Sequence, residues 1–197
     1  MATIGLSRPY YALYSNSGST VTYSSGGVAG KYTEINLSLD NASDNDFYSD
    51  NGIAETDPGF AGGNVTISTD DLRPAIAEAL LGLDTETITL DGLATTSPKW
   101  LDFNDNQAAP FCGFGGIIKK KVDGAIKYVA FAFPKIKFRN PNIEATTQGK
   151  EISWQVSQLI ADISRSDATD HKWFRMSSLL DTEADGEAIV KSFLNIT

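Results

Sequence analysis

Apolar and polar positions alternate with a period of two over most of this chain, which is the signature of half-buried β-strands. Residues 151–157 place Ile152, Trp154 and Val156 on one face and polar side chains on the other. Residues 128–133 place Val129, Phe131 and Phe133 on one face and Tyr128, Ala130 and Ala132 on the other. The latter stretch follows Asp123-Gly124, a strong two-residue hairpin signal, and the apolar run 111–118 precedes it. The pattern predicts a hairpin of strands 111–122 and 126–138. Within it Gly113, Gly115 and Gly116 leave room for close backbone approach or a bulge. Further strands are predicted at 9–14, 32–39, 64–69, 86–90 and 99–103. Two segments carry the helical period instead. Asp70-Asp71-Leu72-Arg73-Pro74 opens the first with acids and a proline, Leu72, Ile76 and Leu80 form its stripe, and Gly82 ends it. The second runs from about Glu183 to Asn195, capped by Thr182, with Ile189 and Phe193 sharing a face. The class implied is mainly β (α+β): a single-domain β-sandwich or partial barrel spanning 1–197 with one or two packed helices.

Residues 40–63 follow neither period. They are rich in Asp, Asn, Ser and Gly, with Phe47, Tyr48, Ile53 and Phe60 scattered among them. A loop of this length is uncommon in a compact domain and is usually functional or disordered. Its aromatic residues favour ordering against something, such as a partner subunit.

Charge sharpens this picture. From Tyr32 to Leu72 there is no Lys or Arg, and nine acids lie there: Glu34, Asp40, Asp44, Asp46, Asp50, Glu55, Asp57, Asp70 and Asp71. The other 16 acids are balanced by the chain's 16 bases, so this one stretch accounts for the whole net charge of −9. Between Lys119 and Arg139 seven bases face one acid, Asp123. Copies with one acidic and one basic region attract each other head to tail. The negative total disfavours tight nucleic-acid binding, which needs clustered Lys and Arg. No run approaches the roughly 18 apolar residues of a membrane span, and residues 1–8 lack a secretory pattern.

Catalytic chemistry has little to work with. The single His171 sits between charged neighbours and reads as an exposed loop histidine. The single Cys112 lies among apolar residues and reads as a buried, inert thiol. Gly113-Phe114-Gly115-Gly116 lacks the Lys-Ser/Thr of a phosphate loop. Asp44-Asn45-Asp46 and Asp50-Asn51-Gly52 do not match a Ca²⁺ loop position by position. Paired acids such as Asp102 and Asp105 are the remaining route to an enzyme, and surface solvation is their default role. Neither a cofactor nor a metal is expected, and the chain is not expected to be an enzyme.

The order of features resembles the major tail proteins of long, non-contractile-tailed phages of Gram-positive bacteria. The resemblance rests on Ile4-Gly5-Leu6-Ser7-Arg8-Pro9-Tyr10-Tyr11-Ala12, on Leu39-Asp40-Asn41-Ala42 through Glu55, Phe60 and Gly63, and on the strand-to-helix passage 65–83. It continues through 110–121, Tyr128, Pro134-Lys135-Ile136-Lys137-Phe138, Thr147, Gly149, Ile152 and Trp154. It is collinear over nearly the whole chain and loosest over 165–197. It implies a β-sandwich subunit that forms hexameric rings, stacked into a hollow tube around a tape-measure protein, which later conducts double-stranded DNA. Tail terminator and distal tail proteins would be further partners. The virion tail, and the host cytoplasm during assembly, would be its locations. The long loop of such subunits reaches a neighbouring ring, the place that 40–63 occupies here. The interface residues expected on these grounds are Asp40, Asp44, Asp46, Phe47, Tyr48, Asp50 and Phe60 in the arm. On the basic side they are Lys119, Lys121, Lys135, Lys137 and Arg139. A different class of reading is a Ca²⁺-dependent carbohydrate-binding β-sandwich that stacks sugars on Trp100, Trp154 or Trp173.

Overall fold

The structure is a computed structural model that describes residues 2–41, 45–49, 52–57, 60–69, 72–141 and 157–197. In chain order its strands are β1 (Ala2–Ser17), β2 (Thr20–Val28), β3 (Tyr32–Asn41), β4 (Asn45–Ser49), β5 (Gly52–Asp57) and β6 (Phe60–Thr69). Helix α1 (Pro74–Leu81) follows, then β7 (Asp84–Thr87), β8 (Lys99–Asp102), β9 (Phe111–Val122), β10 (Ala125–Phe138), β11 (Ser157–Ile163), β12 (Arg175–Met176) and helix α2 (Glu183–Phe193). The class is mainly β and sandwich-like, built on one large antiparallel sheet with two helices. That sheet runs β2-β1-β9-β10-β11-β6-β3, and β12 joins the other half of the β10 edge. Its two outermost strands, β2 and β3, are consecutive in the chain across residues 29–31, and β3 also lies near β1. The sheet therefore curls.

The β9–β10 hairpin is the spine, and its sequence signals hold. Val122 and Ala125 pair directly, and Asp123 and Gly124 take φ of 49° and 84°, the two positive values of a type I′ turn. Both faces of the hairpin are covered. Cys112, Phe114, Phe131, Phe133, Ile136 and Phe138 join Val65, Ile67, Leu159, Ala161 and the α1 residues Ala77, Leu80 and Leu81 in the main core. On the opposite face Ala130 meets Tyr10 and Ala12 of β1 and Val190 and Leu194 at α2. The glycines of β9 permit that second layer. A Cβ on Gly113 would lie 2.7 Å from the Leu194 side chain, and one on Gly115 3.0 Å from that of Val190. Close approach is what these two glycines supply, and the β9–β10 register shift, between Phe133 and Ile136 of β10, falls opposite Gly113.

Helix α1 has its proline in the first turn and ends on Gly82 in the left-handed conformation, φ 63°. Asp70 and Asp71, expected in its opening, lie outside the described residues, and Arg73 at the N-cap makes no side-chain capping bond. Helix α2 is capped as expected: the Asp185 backbone N–H donates to Thr182 Oγ1 at 3.1 Å. Its buried face differs from expectation. Gly186, Val190 and Leu194 are buried and Phe193 packs half-buried against them, whereas Ile189 is 44% exposed, because the glycine lets Ile117 of β9 press against the helix.

The arm also differs. Residues 40–63 are not a patternless loop. The β3–β6 ladder extends to Asn41 opposite Phe60, and β4 and β5 form their own hairpin from Asn45 opposite Asp57 to Ser49 opposite Gly52. Polar residues are compatible with a ladder whose bonds are made by backbone, so hydropathy alone does not find it. The strand predicted at 151–157 lies outside the described residues except at Ser157, where β11 begins.

Candidate assembly surfaces

The arm residues divide into three groups. Asp44 and Asp50 lie outside the described residues. Asp40 is exposed on β3 opposite Gly62, and Asp46, Phe47 and Tyr48 take strand positions opposite Thr56, Glu55 and Ile53. Phe60 has a partner within its own subunit. Its ring stacks on Trp173 at 4.5 Å between centroids and 2° between planes, and Arg165 donates to its carbonyl at 2.7 Å. The base of the arm is thus clamped to the segment before β12.

The basic stretch, contiguous in sequence, separates into two sites. Lys135, Lys137 and Arg139 lie near the end of β10. Lys135 Nζ donates to Asp167 Oδ2 at 2.7 Å and sits over the rings of Phe111 and Tyr14 at 4.5 and 5.2 Å. The Lys135 hydrogen bond, with that from the Tyr14 hydroxyl, holds the Asp167 carboxyl below its ordinary range. Lys137 also lies over Phe111, at 5.6 Å, and Arg139 is paired with Asp162 through two guanidinium nitrogens. Lys135 and Arg139 therefore complete the subunit's own structure. Lys119 and Lys121 occupy the other end, beside the Asp123-Gly124 turn. They share a sheet face with Ile126, which pairs with Lys121 and is 46% exposed. No carboxylate pairs with Lys119 or Lys121 among the described residues. On the opposite face Lys127 is paired with Asp181.

An acidic face absent from the expected sites lies on the β7–β8 hairpin. Glu86 pairs with Trp100 and Asp84 with Asp102, so all four side chains share one face, while Leu101 on the other face packs against the main core. Trp100 is 62% exposed, and Leu90, Leu93 and Phe103 nearby in the chain are also exposed. Asp84 accepts from Asn104 Nδ2 at 3.0 Å, yet no base pairs with Asp84, Glu86 or Asp102 among the described residues. The signal was present as alternation in Asp84-Thr85-Glu86 and Trp100-Leu101-Asp102, but only the pairing register assembles it.

A third cluster ties α2 to β1. Arg8, at φ 57° in a register shift of β1, lies 3.7 Å from Glu183 and 3.6 Å from Glu187. Tyr10 Oη donates to Glu187 Oε1 at 2.6 Å, and Ser7 Oγ to Glu183 Oε1 at 2.7 Å. Burial, reinforced by Glu187, pushes the Tyr10 hydroxyl up to about 12. The Tyr10 hydrogen bond, helped by Lys191 and Arg8, holds the Glu187 carboxyl below its usual range. A depressed carboxyl stabilises the fold above its unfolded value, near 4.3, and loses that contribution as pH falls through the folded value. Glu187→Gln is therefore expected to lower the melting temperature at pH 7, with the difference from wild type narrowing as the pH falls toward 3. A difference that stays constant between those pH values would remove this role.

The two lone nucleophile candidates are quiet. Cys112 is fully buried, and burial pushes its thiol up to about 12. His171 is exposed in a loop, φ 47°, with Nδ1 3.0 Å from the Ser166 carbonyl. Among the described residues no group of three or more His, Cys, Asp or Glu side chains converges to hold a metal ion, and no helix is long and apolar enough to cross a membrane. Compared with known proteins, the chain matches no family model and no curated protein sequence.

Proposed function

We propose that this protein is a structural, non-enzymatic subunit of a phage tail tube, self-assembling into stacked hexameric rings around a conduit for DNA. The observation that carries the reading is the pair of open sheet edges. Among the described residues β2 pairs in the sheet only with β1 and β3 only with β6, and Asn195 Nδ2 donates to the Tyr23 carbonyl of β2 at 3.2 Å. Val28 on β2 and Leu37 and Leu39 on β3 are exposed. Monomeric β-proteins blunt long edges of this kind with charge, bulges or covering elements. Here each edge ladder has a register shift and β3 carries Glu34 and Asp40, yet neither strand has a second strand partner among the described residues. The arm hairpin and the separated acidic and basic faces support the same reading, as does the collinear resemblance to major tail proteins. In this setting the tape-measure protein, tail terminator and distal tail proteins are its partners, and double-stranded DNA passes without sequence-specific contact. Its place is the virion tail, reached by assembly in the host cytoplasm. Negative-stain microscopy of the purified protein across a concentration series tests the proposal, with rings or tubes expected. A chain that remains monomeric at high concentration, even with tail-initiator proteins supplied, would sink it.

Exposed Trp100 favours one other reading, a Ca²⁺-dependent carbohydrate-binding module, because an open indole face is what sugar stacking uses. Glycan binding that is lost on chelation, by a protein that never forms rings, would establish that reading instead.

A further inference from the structure

We infer that the acidic, Trp100-bearing face of β7–β8 is the docking surface for the basic end of the β9–β10 hairpin of a second copy of this chain. The inference rests on the self-assembly reading above and names the contact through which copies stack.

Three observations carry it. The first is local conflict. Asp84 and Asp102 are directly opposed across the β7–β8 ladder, a like-charge pairing that destabilises a sheet. Next to them on the same face, opposite Glu86, stands an indole 62% exposed. No base of the described chain answers the three carboxylates. Rules broken together at one place mark a site whose compensation comes from outside the subunit. Because these carboxylates do not converge on a metal position, the missing partner is a set of separate cations.

The second observation is the complement. Lys119 and Lys121 stand two residues apart on one face of β9, with Ile126 beside them and no carboxylate of their own among the described residues. Two ammonium groups on long apolar stems with an isoleucine on the adjacent strand match carboxylates beside an indole. Each lysine gains a carboxylate, and a cation over Trp100 adds the attraction of its ring face.

The third is placement. Leu81, at the end of α1 just before β7, accepts from Gln107 Nε2 at 3.0 Å, and the same nitrogen reaches Asn140 Oδ1 at 2.7 Å. Gln107 precedes β9 and Asn140 follows β10, so β7 begins at the open end of the β9–β10 pair. Lys119 and Lys121 lie at its closed end, beside the turn. A strand of this length spans about 40 Å. Complementary faces at opposite ends of one subunit cannot satisfy each other internally, and they generate a head-to-tail contact that repeats.

The test uses two full-length charge reversals. One is Asp84→Lys with Asp102→Lys, and the other is Lys119→Glu with Lys121→Glu. Sedimentation velocity of each alone is expected to show self-association weakened roughly tenfold or more, since like charges then face each other. An equimolar mixture of the two is expected to recover association, because each variant supplies the charge the other lacks. Wild-type association is expected to weaken from 0.15 M to 1 M salt, where the screening length falls from about 8 Å to about 3 Å. Trp100→Ala, which leaves every charge in place, is expected to weaken association as well. Rings or tubes that form equally well from both reversals alone would overturn this contact while leaving the tail-tube reading intact. So would a mixture no better than its components, or a Trp100→Ala protein that assembles like wild type. End-to-end chains that obey the charge rule without ever closing into tubes would uphold the contact and overturn the tube. A wild-type chain that stays monomeric would overturn both, whether or not Trp100 then proves to bind glycans.

Discussion

Phe114→Ala is expected to lower the unfolding free energy by about 3–5 kcal/mol. Phe114 is fully buried on the central strand β9 and meets Phe138 edge-on, with centroids 5.9 Å apart. It lies on the inner face, in the core cluster that includes the α1 residues Ala77, Leu80 and Leu81. Truncation removes the transfer energy of a phenyl ring and leaves a cavity, because neighbours held by ladders on both sides of β9 cannot close over it. A domain of ordinary stability has about 5–15 kcal/mol in total, so the variant is left marginal. Urea unfolding followed by tryptophan fluorescence measures the effect, as a large fall in midpoint at constant slope. A loss under about 1 kcal/mol would mean that this ring is not packed as described.

The second expectation concerns the arm. Replacing residues 42–59 with Asn-Gly is expected to leave the subunit folded and to abolish its assembly into tubes. Asn41 and Phe60 already face each other at the end of the β3–β6 ladder, so a two-residue turn closes the strands at that point. The excision spares the Phe60–Trp173 stack and the Arg165 contact. The strands removed, β4 and β5, pair with each other and not with the main sheet among the described residues. Their loss should therefore cost the body little. Unchanged thermal unfolding together with an absence of tubes by microscopy is the expected result. Tubes of normal form would take the arm out of the contact between rings, and cooperative unfolding would show that the arm belongs to the body.

What the sequence made legible follows from how each element is specified. The β9–β10 hairpin was readable almost to the residue, because alternation, the Asp123-Gly124 turn and the small residues of β9 all point the same way. The Thr182 cap and the Pro74 and Gly82 boundaries were readable because they are local chemistry. Strand β2 was missed. Its sequence Thr-Val-Thr-Tyr-Ser-Ser-Gly-Gly-Val has too few apolar residues to mark a face, and pairing with β1 specifies it instead. The arm's ladder was missed for the same reason. On α2 the expectation holds for Phe193, which packs on the core, and fails for Ile189, because the buried row centres on Gly186 and Val190. At the surface, Lys119 to Arg139 reads as one basic patch in sequence. The turn and the length of β10 carry its two halves to different ends of the fold. The Trp100 face needed a pairing register that no local pattern supplies.

The ladder order has a consequence for synthesis. Strand β1 sits between β2 and β9, and its register with β9 runs from Ala2 opposite Lys121 to Leu13 opposite Cys112. About a hundred residues must therefore leave the ribosome after β1 before its second neighbour exists. At roughly 5–20 residues per second this is a wait on the order of 5–20 s. Through that interval β1 has only its hairpin partner β2, and an isolated two-strand hairpin is marginal in water. The large sheet cannot nucleate from its N-terminal end. Its first four-stranded piece arises when the β9–β10 hairpin, whose closure costs a single two-residue turn, meets the β1–β2 pair. The earlier strands then add to a template made after them. Nascent chains on neighbouring ribosomes carry the same waiting strand, so the β1–β2 edge is where mispairing between copies would begin, and rapid formation of the Asp123-Gly124 turn is what limits it.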